Sequence, residues 1–554
     1  MISIRRSATA ALLFIGCAGF ASALYAQFDP DRAYQQSDAV KQRYPDPAAR
    51  FDTPGFAPGK TDFTAHAEMM TFISRLQRRA DNLEVREFGV SQEGRAIPVL
   101  VFSGNGKAGA NDGRSRRPVV LLVGLQHGNE PAGGEAMLVL AQELAVGSLK
   151  PLLDRITVAI VPRANPDGAH YFTRSPYSTV DINRDHVKVA LPETAALHSV
   201  VNEFQPHVFV DAHEFSVATR WIEKFGLLQS WDLMLQYATN PNVAPQLTEL
   251  ADQLFLRGMR GEIERAGYTH FWYYTTSYNL KDLRVAMGGT TPDIGRNFAG
   301  LQNAFSFLIE SRGVGIGRES FARRVHTHVV AITSLLRTTA DHAGEITRVV
   351  QEARDETVRR GREPRAGDTV AVTVRSPQTK QALTMIDPTS GEAREIEVDW
   401  SDSLGAAPEL ARARPYAYLM PPVFHDVARR LALSGVEVRQ LDRPVTLEVE
   451  SYEVTERRPS ATYVEGRITS RVTTEVGLKK KAFPAGSYVY LMAQPNANVI
   501  AVALEPESPS SFVSFGFVPV DKKGSPPTIA APSEVPIYRL LRPVGIDTRP
   551  VPPR

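Results

Sequence analysis

The chain has 554 residues, 43% of them hydrophobic, with 63 lysines and arginines against 61 aspartates and glutamates for a formal charge of +2. That length can bury one large core and at least one more, and so even a charge gives no electrostatic footing for nucleic acid or an acidic membrane surface. Cys17 is the sole cysteine, so a chain cleaved beyond it has no thiol nucleophile, no cysteine-held metal and no disulfide.

At the N-terminus, Arg5 and Arg6 precede the apolar segment ATAALLFIGCAGFASALYA, after which QFDPDR turns polar. A basic start, an apolar middle and small residues at the end form a secretory signal peptide over residues 1–26, cleaved after Ala26 or after Ala23. A retained membrane helix and a lipid anchor on Cys17 are the alternatives, although FIGC only loosely matches a lipoprotein box. No later run of 18 or more apolar residues occurs, so no membrane span is expected after signal removal, and the location is periplasmic or extracellular. Residues 27–60, polar and rich in proline, read as an extended lead-in.

TAHAEMMTFISRLQRRA then places apolar residues at helical spacing. EVREFGV and AIPVLVFSG read as strands joined by the turn SQEGR. The strand PVVLLVGL, a helix from about 133 to 145, the strand RITVAIVPR and the loop ANPDG follow. A helix near 193–204 leads into the strand PHVFVDAHE; NAFSFLIESRG reads as another buried strand and 319–338 as a long closing helix. Apolar strands alternating with helices predict an α/β unit over 61–338 with a mostly parallel sheet. A charged helical connector spans 339–366. Over 367–554 the runs DTVAVTVR, PVTLEVESYEV and SYVYLMA predict a β-rich C-terminal domain, with one amphipathic helix around FHDVARRLALSG. The last residues, GIDTRPVPPR, read as a disordered or surface tail.

Open α/β sheets place their sites at strand ends. The first long strand is followed by His127 and Glu130, the VDAHE strand carries His213, and the late strand ends in IESRG with Glu310. Between them TRSPYSTVDINRDH supplies Arg174, Asn183 and Arg184. Two imidazoles and a carboxylate suit zinc, which leaves a further position open in catalytic sites. A neighbouring carboxylate can take a proton from water, and arginine suits a substrate carboxylate or a developing oxyanion. A lone HxxE is common by chance, and on spacing alone a polar turn is the better reading.

The ordered set HGNE, NPDG, DINR, AHE and IESRG resembles the zinc carboxypeptidase family (the M14 metallopeptidases), and GVSQEGRAIPVLVFS is similar to that family's first hairpin. The likeness runs from about Thr61 to Leu336. It implies a central mixed sheet of about eight strands sandwiched by helices, and a peptide hydrolase using one Zn²⁺ per chain. It also implies roles. His127, Glu130 and His213 match the metal ligands, and Glu310 matches the general base. Asn183 and Arg184 match the pair that grips the substrate's C-terminal carboxylate, and Arg174 matches the arginine that polarises the scissile carbonyl. Glu130 and His213 lie closer in sequence than in pancreatic-type enzymes, so loops framing the pocket are reduced. The tyrosine that closes over substrate has no clear match: Tyr278 is taken as the substrate-binding candidate, with Tyr273 and Tyr274 beside it and aromatic packing as the other reading. Arg296 could select an acidic terminal residue and Asp293 a basic one, or the two could pair with each other. The C-terminal half is similar to the tail of larger bacterial members; it reads as a module that narrows the cleft or as a glycan-binding unit.

Weaker signals are set aside. GFAPGKT is one residue short of a phosphate loop and follows no strand, so it reads as a turn. RGVGIG follows a strand already used, and neither HExxH nor GxSxG occurs. His186 adjoins Arg184 and could line the cleft, whereas His198, His207, His326 and His328 read as packing or surface residues. The expected activity is therefore an exported zinc-dependent metallocarboxypeptidase cleaving the C-terminal amide bond of peptides. The alternatives are a D,L-carboxypeptidase or amidase on cell-wall stem peptides, a non-catalytic binding protein on the same fold, and a deacylase of small N-acyl amino acids.

Overall fold

Strands buried on both faces need unbroken apolar runs, and this chain supplies them where its central sheet forms. The computed structural model describes residues 28–104, 117–524 and 532–551; the signal segment 1–26, with Cys17, lies outside them. The eight strands of the central sheet are β1 (Leu83–Val90), β2 (Ala96–Phe102), β3 (Val119–Gly124), β4 (Thr157–Val161), β5 (Val208–Ser216), β6 (Leu233–Tyr237), β7 (His270–Trp272) and β8 (Phe305–Val314). Their order is β1-β2-β4-β3-β5-β8-β6-β7. The middle four, β4, β3, β5 and β8, run parallel, while β1, β2 and the β8–β6 contact are antiparallel. The sheet is thus mixed, as the resemblance implies, although β6 and β7 carry no clear strand signal in the sequence.

Alternation along β2 and β3 divides the core in two. Leu100, Phe102, Val120 and Leu122 face one layer, which includes helices His66–Arg79, Pro131–Val146 and Phe321–Asp341. Val99, Val101, Val119, Leu121 and Val123 face the other, where helix Pro192–Phe204 contributes Leu197, Val200 and Phe204. Period-two side-chain geometry requires this split once both faces are covered.

The rest of the chain is woven into this unit. The lead-in is not extended throughout: short helices form at Pro30–Arg32, Asp38–Lys41 and Pro54–Phe56. Val40 and Tyr44 are buried, and the Tyr44 hydroxyl donates to the Ser230 carbonyl at 2.7 Å. After the helix Ala343–Arg362, strands Gln378–Ile386 and Ala393–Ser401 enter a five-stranded sheet with Leu228–Gln229, Tyr274–Thr276 and Arg284–Met287. A seven-stranded, largely antiparallel sheet follows, built on the long hairpin Val445–Pro459 and Ser470–Phe483. The expected C-terminal tail proves ordered at Thr548–Pro550, which pairs with Arg439–Leu441. Helix Ala497–Leu504 is buried on every side because ANVIAVAL carries only one polar residue, Asn498. Polar side chains tie these parts to the central unit through backbone carbonyls. Arg430 donates to Lys188 and Val189, and Asn303 donates to Pro495.

Candidate active site

The parallel strands β3, β5 and β8 end at one edge of the sheet, and the chemistry-bearing residues gather there. Beyond Gly124, Leu125 takes a left-handed backbone (φ 57°) and turns the chain toward His127. Neither Gly124 nor Gly128 has a positive φ; Gly128 serves close approach instead. A Cβ there would lie 1.9 Å from the Gly168 carbonyl carbon, so the NPDG turn packs directly on the HGNE turn. Glu130 follows as the residue before helix Pro131–Val146. His213 lies on β5, and the parallel register places Glu310 of β8 opposite it.

His127, Glu130 and His213 are all buried and converge. The two Nδ1 atoms are 3.0 Å apart, and each lies 2.8 Å from an oxygen of Glu130. The far nitrogens meet acids: His127 Nε2 is 3.0 Å from Asp181 Oδ1, and His213 Nε2 is 2.7 Å from Asp211 Oδ1. A carboxylate on Nε2 holds its proton there and leaves Nδ1 as a lone pair. Two lone pairs and a carboxylate then face one another, an arrangement that a cation relieves. This nitrogen and oxygen donor set fits zinc. The local field has the same sign: burial lowers His213, yet Asp211 and Glu130 outweigh it and hold the ring well above its usual range. Asp211 also accepts from Gln126 at 2.7 Å, and Glu130 accepts the Glu214 N–H at 3.0 Å.

Glu310 is 6% exposed. Burial pushes its carboxyl up to about 8; His213 and Arg174 oppose the rise, while Glu130 and Asp211 add to it. Such a group accepts a proton readily near neutrality. Arg174 stands over the cluster with its side chain 46% exposed, Nη1 3.2 Å from His127 Nδ1, and it grips Asp181 through Nε and Nη2 at 3.0 and 2.8 Å. Asn183 sits in the single turn Ile182–Arg184. Its amide nitrogen lies 3.1 Å from His213 Nε2, and its oxygen accepts the Gly295 N–H at 2.6 Å. Arg184 donates to the Asn183 carbonyl and makes no ion pair with a carboxylate among the described residues.

Arg296 and Asp293 do not pair with each other. Arg296 is buried and donates to the carbonyls of Tyr237 at 3.2 Å and Gly289 at 2.7 Å. Burial lowers its guanidinium to about 10; Tyr273 and Glu310 support the charge and Arg184 opposes it. The three tyrosines separate clearly. Tyr274 is buried against Trp221 and Trp400, and Tyr278 is 85% exposed with the Arg220 guanidinium 3.6 Å from its ring centre. Tyr273 is the one in the cluster: burial raises its phenol, Glu310 adds to the rise, and Arg174 and Arg184 act against it. The structure thus brings Tyr273, rather than Tyr278, to the other candidates.

Asp181, Asp211 and Gln126 went unassigned in the sequence. The signal for the two acids was present, since each stands two positions before a chosen residue, in DIN and DAH. On β5 that spacing puts Asp211 and His213 on one face.

Known proteins place this arrangement. Residues 69–237 match the Zinc carboxypeptidase family. Carboxypeptidase 2 of Trichophyton rubrum is 33% identical over 490 residues, 88% of each chain, so the likeness extends well into the C-terminal half. Carboxypeptidase 2 of Trichophyton tonsurans is 33% identical over 470 residues, 84% of this chain and 86% of that one. Among solved structures, carboxypeptidase A from Helicoverpa armigera covers 55% of this chain and 80% of its own, at 19% identity and a TM-score of 0.40. The long matches are fungal and share the extension that the sequence reading associates with bacterial members. The chain belongs to the zinc carboxypeptidase family and is a peptide hydrolase.

Proposed function

We propose that this protein is an exported zinc carboxypeptidase that holds its metal on His127, Glu130 and His213 and uses Glu310 as general base. The observation that carries this reading is the pair of inward Nδ1 atoms facing Glu130, with both outer nitrogens tied to aspartates. Zn²⁺ bound there supplies a Lewis acid for the peptide carbonyl. Arg174, half exposed above the cluster, meets the oxyanion as it develops. Glu310 removes a proton from the attacking water and returns it to the leaving amine. Asn183 and Arg184 receive the terminal carboxylate; Arg184 has a free charge to offer because no acid of the described chain occupies it. The segment 1–26 supports export, which N-terminal sequencing of the mature protein from the host checks.

The test is Glu310→Gln. Zinc content should equal the parent's while kcat for C-terminal release falls about 10²–10⁴-fold, the usual span for a lost acid–base group. Equal rates would remove Glu310 from its role. Running cell-wall stem peptides beside ordinary L-peptides separates the two substrate classes.

Arg296 supports a preference within that reading. The buried guanidinium is held by carbonyls and makes no ion pair with a carboxylate among the described residues; Glu310 and Asp211 support its charge from a distance and Arg184 opposes it. A terminal aspartate or glutamate would supply a direct partner. Arg296→Gln should lower release of C-terminal glutamate at least tenfold relative to leucine, and an unchanged ratio would refute the preference.

A further inference from the structure

The hairpin of the seven-stranded sheet ends in a two-residue turn. Val464 and Arg467 exchange both backbone hydrogen bonds, at 2.7 and 3.1 Å. Between them Glu465 and Gly466 both have left-handed backbone, with φ of 48° and 74°. Turns with two positive φ values favour asparagine, aspartate or glycine at the first position. Glutamate there is strained without any gain to the turn itself. Its carboxylate goes elsewhere: Glu465 accepts the Asp181 N–H at 2.7 Å, across 284 positions of sequence. The tip is seated closely, since a Cβ on Gly466 would lie 3.1 Å from Val180 Cγ2.

Asp181 is the junction of the site. One carboxylate oxygen meets His127 Nε2 at 3.0 Å and accepts the Asn183 N–H at 2.8 Å. The other accepts from Arg174 Nε and Nη2. Asp181 stands before a single turn, so its own N–H has no helical partner, and a buried N–H must find one. Glu465 is that partner. We propose that Glu465 is a positioning residue of the active site: it fixes the Asp181 backbone, so that one aspartate orients both a metal-binding imidazole and Arg174. The C-terminal region thereby becomes part of the catalytic apparatus. This inference rests on the metal-site reading above, and its test is arranged so that the two can fail separately.

Glu465→Gly gives the turn the residue its backbone prefers and deletes the acceptor, while Glu465→Gln keeps an acceptor of the same reach. Three readouts are needed: Tm, zinc affinity by chelator competition, and kcat and KM on a peptide. In the glycine variant relief of the strained turn offsets the loss of the Asp181 N–H partner, so Tm should change little, while zinc binds about tenfold more weakly and kcat falls rather than KM rising, in line with the effect of outer-shell partners. The glutamine variant should keep the parent's Tm and stay within about twofold of its zinc affinity, kcat and KM, because it keeps the acceptor that orients Asp181. A glycine variant with parental zinc affinity and kcat overturns the proposal. So does one whose Tm falls without a change in either, since that marks a purely structural turn. Glu310→Gln, run alongside, tests the site reading by itself: its inactivity upholds the mechanism whatever Glu465 does.

Discussion

Two pairs of histidines lie close together in this molecule, and they have opposite characters. His127 and His213 stand with ring centres 4.6 Å apart, tilted by 55°; His186 and His198 stand 5.5 Å apart, nearly stacked at 20°. Each pair brings two ring nitrogens within hydrogen-bond reach. In the first pair, Asp181 and Asp211 occupy the outer nitrogens, so both inner ones are acceptors and a cation is needed between them. In the second, His186 Nε2 meets Gln126 Oε1, its Nδ1 faces His198 Nε2, and both rings stack on Phe298. That chain runs through neutral imidazoles and stops at His198 Nδ1, which is buried without a partner among the described residues, and burial lowers both pKa values, His186 to about 4. Nearness of imidazoles therefore says little about metal. The group on the far nitrogen decides.

The comparison breaks most visibly at a ligand. His213→Gln should abolish stoichiometric zinc and reduce peptide release to background, and retention of one zinc per chain would reassign the site. A smaller effect is expected one layer out. Asp211→Asn leaves an amide beside His213 Nε2, so zinc affinity should fall about 10–100-fold with the fold intact. Chelator competition and circular dichroism measure both, and parental affinity would show that the aspartate does not set the ring's tautomer.

The effect that leaves activity untouched falls on the stacked pair and concerns stability alone. Both rings have folded pKa values below the unfolded value of about 6.5, so the unfolded chain binds more protons between that value and the folded one. Stability is then complete above about pH 6.5 and declines as pH falls through the window toward about 4. For His186 the linkage amounts to on the order of 3 kcal/mol. His198→Phe should keep full zinc and reduce the difference in urea midpoint between pH 7 and pH 5. An undiminished difference would place that linkage elsewhere.

How much of this was legible depended on distance along the chain. His127, Glu130, His213 and Glu310 were readable because each sits in a short motif at a strand end, and the motifs keep their order. Strand pattern likewise marked six of the eight central strands, most of them by long apolar runs and Leu83–Val90 by alternation. Strands Leu233–Tyr237 and His270–Trp272 escaped because they are short and carry polar or half-buried residues such as Gln236 and His270. Tyr273, Tyr274 and Tyr278 could not be ranked by type or spacing; only the backbone path sends one into the core, one to solvent and one to the site. Arg296 and Asp293 were equally open, and the carbonyls of Tyr237 and Gly289 decided against their pairing. Glu465 had no local signal at all, because its partner lies 284 positions away.

The five-stranded sheet has a consequence for folding. Arg284–Met287 pairs with residues of Ala393–Ser401 on one side and with Tyr274–Thr276 on the other, and it leads directly to Gly288, against which Tyr273 packs. This strand needs a neighbour that lies more than a hundred residues later in the chain. Until the two meet, its edge is open to wrong partners. The wall beside Tyr273 and Arg296 therefore closes through a long-range pairing rather than by local folding.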